Sequence, residues 1–374
     1  MKSPLLYSAL CLLIMLSACQ SETNKPKDKP IVEAEPEVVY KFAFVGCNRV
    51  NYSDRDNPAA TNASTANVQV LKRTLNEIAA EKERPDVLFF LGDLVEGLSD
   101  TSKLDTQLQA WVAQYQDPAF SNISKMGIEL IAVPGNHEML YYKEYPGDSV
   151  HDEWPLQGAT DTWLKHMSRY MPNDRDRIGG PDSLANRLTY SIVRNRIGFI
   201  LMNTDTYNAI RPTDPKGDEG LIPTDWIIAK IKQFQNDPDI DHVFVLGHKP
   251  YYVSGVPETG HRGLPEGPVL WPAMQKHHVL AMLSAHVHDY QRMQPQDTGT
   301  YQIIAGNGGT EGTATFFGYS MIHILSNGEV KLISKGVDVN PQHYYLGMPD
   351  SPNSVRDSTI LTWTKNTNPY RSGN

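Results

Sequence analysis

The sequence predicts an α/β domain in which helices cover largely parallel strands, and three observations predict it. Apolar runs of strand length end in a glycine or a polar residue, helical periodicities lie between the first of these runs, and strands return after a long irregular stretch. Residues 38–45 are largely apolar, with β-branched and aromatic side chains, and end at Gly46, as a strand would. Val68, Leu71, Leu75, Ile78 and Ala79 recur mostly at three- and four-residue intervals, which predicts an amphipathic helix. The segment 86–93, "DVLFFLGD", holds a continuous apolar run suited to a buried strand. Leu104, Leu108, Trp111, Val112 and Tyr115 predict a second helix, and 128–136, "IELIAVPGN", a third strand. The first half therefore reads β-α-β-α-β.

Regularity fades after His137. The segment 138–187 is rich in Tyr, Trp, Asp, Pro and Gly and reads as a cap-like insertion folded over the domain, with one helix over 161–171. Strands return at 188–193 and 197–203, a helix starts at Thr224, and further strands follow at 242–248, 279–286, 301–306 and 321–325. Asn327-Gly328 between two apolar runs predicts a hairpin turn. The domain is expected over 38–340, with 341–374, polar and rich in Asn, Ser and Pro, as a wrapping tail.

The chain has 374 residues, 40% hydrophobic and 21% charged, which excludes a wholly disordered polymer. Its net charge of −9 offers no diffuse basic footprint, so no nucleic-acid partner is expected. Lys2 precedes an apolar stretch over 5–16, too short for an ordinary membrane span and suited to a signal peptide over 1–18. The junction "LSAC" resembles the bacterial lipobox, which implies lipidation of Cys19 and a mature chain beginning there. Residues 19–37, with three prolines and many Lys and Glu, read as a flexible tether. The expected location is therefore the bacterial cell envelope, lipid-anchored, on the periplasmic or outer face of the outer membrane. Of Cys11, Cys19 and Cys47, only Cys47 is left in the domain, so no disulfide is expected.

Polar residues cluster just after the apolar strands: Gly46-Cys47-Asn48-Arg49, Gly92-Asp93, Gly135-Asn136-His137-Glu138, Gly247-His248 and Ala285-His286-Val287-His288. In open α/β sheets the carboxyl ends of strands converge on one crevice where ligands bind. Each block alone is weak, since Gly-Asp is usually a turn and a lone His is usually hydrogen-bonded. Their joint occurrence in this order makes the case. The blocks "GDLVEG", "GNHE", "GHKP" and "AHVHDYQR" resemble the calcineurin-like metallophosphoesterase family, nearer its purple-acid-phosphatase-like members, over about residues 39–333.

That resemblance implies a two-sheet β-sandwich flanked by helices, with a dinuclear site of two transition-metal ions (Fe, Zn, Mn or Co) at the strand ends. Two cations about 3.5–4 Å apart can clamp both the attacking and the leaving oxygen of a phosphoester. The resemblance gives Asp93 the bridging role. Asn136, His248 and His286 then complete the second metal, and His288 belongs to the first. A metal-bound hydroxide would attack phosphorus. His137 matches the family's non-ligand histidine, which stabilises the phosphoryl oxygens or protonates the leaving group, and Glu138 is expected to orient that imidazole.

The first motif departs from the family, which usually has Asp-x-His or Gly-Asp here. Cys47 replaces the aspartate, and Arg49 stands where histidine is common. Cys47 reads either as a small buried residue or as a thiolate ligand, the latter resembling alkaline phosphatases of the D type, with Asn48 or Glu96 as other candidates for that site. Arg49 reads as a phosphate ligand or as a partner of Asp54 or Asp56. His261, in "TGHRG", is a candidate substrate contact. The expected function is metal-dependent hydrolysis of a small phosphomonoester. The alternatives are a phosphodiesterase on glycerophosphodiesters or cyclic nucleotides, and an inactive tethered binding protein, which the altered first motif favours and the retained Asp, Asn and His residues oppose.

Overall fold

The computed structural model describes residues 36–143, 152–178, 188–205, 222–348 and 350–363. The expected signal peptide, Cys19 and nearly all of the tether lie outside the described residues. In chain order the elements open with β1 (Val38–Val45), α1 (Val68–Ala80), β2 (Val87–Leu91), α2 (Thr101–Gln116) and β3 (Glu129–Val133). A short turn of helix, α3 (Asn136–Met139), leads into a hairpin of β4 (Leu140–Lys143) and β5 (Asp152–Pro155), and then into α4 (Ala159–Met167). Next come β6 (Asp176–Arg177), β7 (Tyr190–Arg194), β8 (Ile197–Leu201), α5 (Thr224–Asn236) and β9 (His242–Leu246). The chain continues through the small hairpin of β10 (Tyr252–Val253) and β11 (Val256–Pro257), α6 (Gly267–Lys276), β12 (Ala281–Ser284), β13 (Tyr290–Met293) and β14 (Tyr301–Ala305). It closes with β15 (Phe316–Leu325), β16 (Val330–Asp338) and β17 (Ser354–Leu361).

Two sheets form from these strands. One has six strands in the order β17-β16-β15-β1-β2-β3, and the other seven, β13-β14-β12-β9-β8-β7-β6. The expected β-α-β-α-β unit is the parallel β1-β2-β3 half of the first sheet. The parallel heart of the second sheet is β8-β9-β12-β14. The sheets face each other through aromatic rings: Phe42 of β1 meets Phe89 of β2, Phe199 of β8 and Phe244 of β9 at 5.6, 5.1 and 5.3 Å, each edge to face. Such pairs add to the apolar burial that holds the layers together. Because β1, β2, β3, β9 and β12 end on the same side, the loops after them share one rim.

Helix ends are capped as their sequences suggest. The Asn67 side chain accepts the Val70 N–H and, through its own amide, donates to the Gly309 carbonyl at 2.8 Å, pinning α1 to the loop after β14. Asp100 accepts the Ser102 and Lys103 N–H groups at the start of α2. The insertion is docked on the domain: Trp163 of α4 is fully buried, and Lys165 and His166 both reach Asp105 of α2 at 2.6 Å. The expected tail needs correction. Residues 354–361 form β17, which pairs antiparallel with β16, and Tyr344 and Tyr345 are buried beside Val50 and Val70. The strand was hidden because most of its side chains are exposed or half-exposed, so it carries no apolar run.

Candidate metal centre and substrate cleft

The rim is built from backbone that side chains rarely tolerate. Cys47, Asp93 and His286, each just past a strand, have φ of 57, 56 and 62°. Non-glycine residues in this region are uncommon, and such strain gathers at functional sites. Gly92 has φ of 84° and lies so close to the Gly135 backbone and the His248 ring that any Cβ would collide with them. Glycine is therefore what lets Asp93, Asn136 and His248 approach one another.

Four acceptor atoms converge at this point. His248 Nε2 lies 3.2 Å from Asp93 Oδ1 and 3.1 Å from Asn136 Oδ1. His286 Nδ1 lies 3.2 Å from Asn136 Oδ1 and 3.1 Å from His248 Nε2. The other nitrogen of each ring is committed outward: His248 Nδ1 donates to the Leu91 carbonyl at 2.7 Å, and His286 Nε2 to the His261 carbonyl at 2.7 Å. Those bonds fix the tautomers so that lone pairs point inward. Asn136 is fixed in the same sense, since its Nδ2 donates to both Glu153 oxygens at 3.1 and 3.0 Å, leaving Oδ1 for the centre. Four lone-pair atoms facing one another repel unless a cation or a proton lies between them. Two imidazoles, a carboxylate and an amide oxygen suit a transition metal such as Zn, Mn, Fe or Co. This donor set fits a metal.

Electrostatics follow from burial. Burial resists ionisation of Asp93, but His248, His137 and Arg49 outweigh it and hold the carboxyl well below its usual range. Burial likewise resists protonation of His248, and Asp93 overcomes it, so the ring's pKa is raised. His286 is pushed well down by burial and then by His248. His288 is pushed down to about 4 by burial and then Arg49; its Nδ1 donates to the Glu311 carbonyl at 2.7 Å.

The other edge of Asp93 faces different company. Around Oδ2 stand Arg49 Nε at 3.6 Å, Cys47 Sγ at 3.9 Å and His137 Nε2 at 4.0 Å. Cys47 is fully buried; its sulfur accepts the His286 backbone N–H at 3.1 Å, and burial followed by the Asp93 charge pushes the thiol well up. Cys47, Asp93 and His248 offer ligand atoms within 4.8 Å of one another. Arg49 is turned to Asp93; Asp56 pairs with Arg55 instead.

Three expected roles are corrected. Glu138 does not orient His137. Its carboxylate accepts four backbone N–H groups, from Asp93, Leu94, Val95 and Gly135, at 2.7–3.1 Å, while His137 Nδ1 donates to the Glu96 carbonyl. The two residues are consecutive in α3, and consecutive helical side chains point apart. Asn48 turns away from the centre: its amide donates to the Gly308 carbonyl at 2.7 Å and the Asn67 carbonyl at 3.4 Å. Glu96 contributes its carbonyl to His137 and does not line the cleft.

A cleft of about 270 Å³ opens over the centre, walled by Arg49, His137, His261, Arg262, His286 and His288 together with Asp93, Asn136, Tyr142 and Glu153. Two arginines, Arg49 and Arg262, stand in this wall beside the carboxylates of Asp93 and Glu153, so fixed positive charge is available to an anion although the chain as a whole is acidic. His261 stands at the mouth, its Nδ1 3.6 Å from Glu153 and its ring 5.2 Å from that of His286. From the sequence, Glu153 falls in the stretch 151–154, which either lines the substrate pocket or packs inside the insertion, and Arg262 has no role; both line the cleft. The signal for Glu153 was faint, because its link to Asn136 runs across the β4–β5 hairpin. Asp205, in the segment after β8, forms a fully buried ion pair with Lys249 at 2.7 Å beside His248.

A sequence profile described as calcineurin-like phosphoesterase matches residues 44–290. The chain belongs to this family. The family is one of metal-dependent phosphoester hydrolases, typically with dinuclear sites. A comparison with curated proteins finds no match. Among solved structures, GAP50, the anchor in the inner membrane complex of Plasmodium, is 15% identical with a TM-score of 0.44, over 88% of this chain and 90% of its own. The purple acid phosphatase PPD1 from yellow lupin (Lupinus luteus) seeds is 14% identical with a TM-score of 0.48, over 81% of this chain and 52% of its own. PhoD is 13% identical with a TM-score of 0.49, over 88% and 72%. This chain thus spans about half the length of the lupin enzyme.

Proposed function

We propose that this phosphoesterase hydrolyses small organic phosphomonoesters at the centre formed by Asp93, Asn136, His248 and His286. The observation that carries the reading is the convergence of their four acceptor atoms under a cleft that also holds Arg49 and Arg262. A bound metal would supply Lewis-acid charge and make a nearby water more acidic. The chain's own residues do the rest. Arg49 and Arg262 offer N–H donors to phosphoryl oxygens. His137, held by the Glu96 carbonyl, presents Nε2 to the cleft, where it can meet a phosphoryl oxygen or the leaving group. The cleft's volume suits a phosphate with a small leaving group.

The test is a panel of phosphomonoesters and phosphodiesters, run on the full chain in detergent after chelation and after reloading with Zn, Mn, Co or Fe separately. Hydrolysis that favours monoesters and vanishes on chelation is expected. Preference for diesters would reject the monoester assignment, and no hydrolysis with any metal would favour a binding protein.

We also propose that the chain is held at a bacterial envelope membrane through lipid on Cys19, on the strength of the "LSAC" junction and the proline-containing segment behind it. Cys19→Ser is expected to move the protein from the detergent phase to the aqueous phase; continued partition into detergent would contradict it.

A further inference from the structure

We infer that the Arg49 guanidinium stands in the place of the first of the family's two cations, so that this chain binds one transition-metal ion rather than two. The inference rests on the metal-dependent reading of the site given above and specifies its composition. The two edges of the Asp93 carboxylate have unlike surroundings. Oδ1 faces the lone-pair atoms of His248 and, through them, those of Asn136 and His286. Oδ2, the edge a bridging carboxylate would give to the first metal, already has Arg49 Nε 3.6 Å away.

Arg49 has the attributes of a fixed cation. It is always charged. It is more than nine-tenths buried, and its Nε makes no hydrogen bond among the described residues. Its backbone is held on both sides, bridged to Ala66 and accepting the Thr310 hydroxyl at 2.8 Å, so the side chain starts from a rigid point. What remains for a first metal is Cys47 and His288. The Cys47 sulfur is engaged by the His286 backbone N–H. A divalent ion held by that pair and Oδ2 would share a buried gap with the guanidinium, and like charges at that spacing repel strongly. The position of Arg49, two residues after Cys47, is where histidine is common in the family. One residue change thus replaces a metal ligand with a cation. The guanidinium lines the cleft, so it can still offer N–H groups to the phosphoryl oxygens that a first metal would have polarised.

The test is equilibrium dialysis of the full chain against Zn²⁺ or Co²⁺, with metal and protein quantified together. The parent is expected to hold about one ion, and Arg49→His to rise towards two. Cobalt gives a second measurement that needs no variant: the parent should show the spectrum of an isolated high-spin ion without exchange coupling. Inorganic phosphate supplies a third, since Arg49→Met, which removes the guanidinium, should weaken its binding at least tenfold in samples loaded with one ion. Two ions in the parent, or a coupled cobalt pair, would overturn the inference and leave the phosphoesterase reading standing. One ion in both the parent and a folded Arg49→His variant would overturn the role given to Arg49. No ion in the parent would sink the metal-dependent reading itself.

Discussion

Asn136 shows how a neutral side chain can be aimed at a cation. An amide has two similar ends, and only the oxygen can bind a cation. Glu153 selects the end by accepting from Nδ2 with both oxygens. Glu153→Ala is therefore expected to weaken metal affinity by roughly 10–100-fold, the usual range for partners that orient a ligand. Glu153→Gln, which keeps one acceptor, should recover part of it. Competition with a chromophoric chelator measures both, and an unchanged affinity in Glu153→Ala would contradict the assignment. Glu138 acts on the backbone instead. Burial and then Asp93 push its pKa up to about 7, against the pull of the Gly135 and Val95 N–H groups. Glu138→Ala would leave four buried N–H groups without their acceptor and should cost about 3 kcal/mol or more in urea unfolding. A loss below about 1 kcal/mol would count against this clasp.

At the scale of elements, the strands that carry the site were legible because each is an apolar run closed by a glycine or a polar residue. β1 falls where its composition placed it, α5 starts at Thr224 as expected, and the turn between β15 and β16 lies at Asn327-Gly328. What stayed hidden has a common cause: it depends on contacts across the fold rather than on periodicity. β17 is half-exposed, Glu153 meets Asn136 only once the hairpin forms, and Glu138 points away from its sequence neighbour. Glu266, at the start of α6, is another such group. Burial pushes its carboxyl up to about 8, and its Oε2 has no hydrogen-bond partner among the described residues. The unfolded chain ionises this group near 4.5, the folded chain near 8, so its ionisation penalises the fold increasingly as pH rises between those values. Glu266→Gln should therefore unfold at a higher temperature than the parent at pH 9 and show a smaller gain, or none, at pH 4. An equal difference at both pH values would show that the carboxyl is not buried in this way.

For the whole molecule, the two sheets do what neither could alone. The first brings Cys47, Asp93 and Asn136 from the ends of β1, β2 and β3. The second brings His248 and His286 from the ends of β9 and β12, and the aromatic layer around Phe42 sets the spacing between them. If this junction is a metal centre, Asp93 is indispensable to it. Elemental analysis of Asp93→Ala beside the parent, both dialysed against the same metal and both checked for folding by thermal melting, tests it most directly. The parent is expected to retain its metal, and folded Asp93→Ala to lose most of it. Full metal content in the folded variant would contradict this.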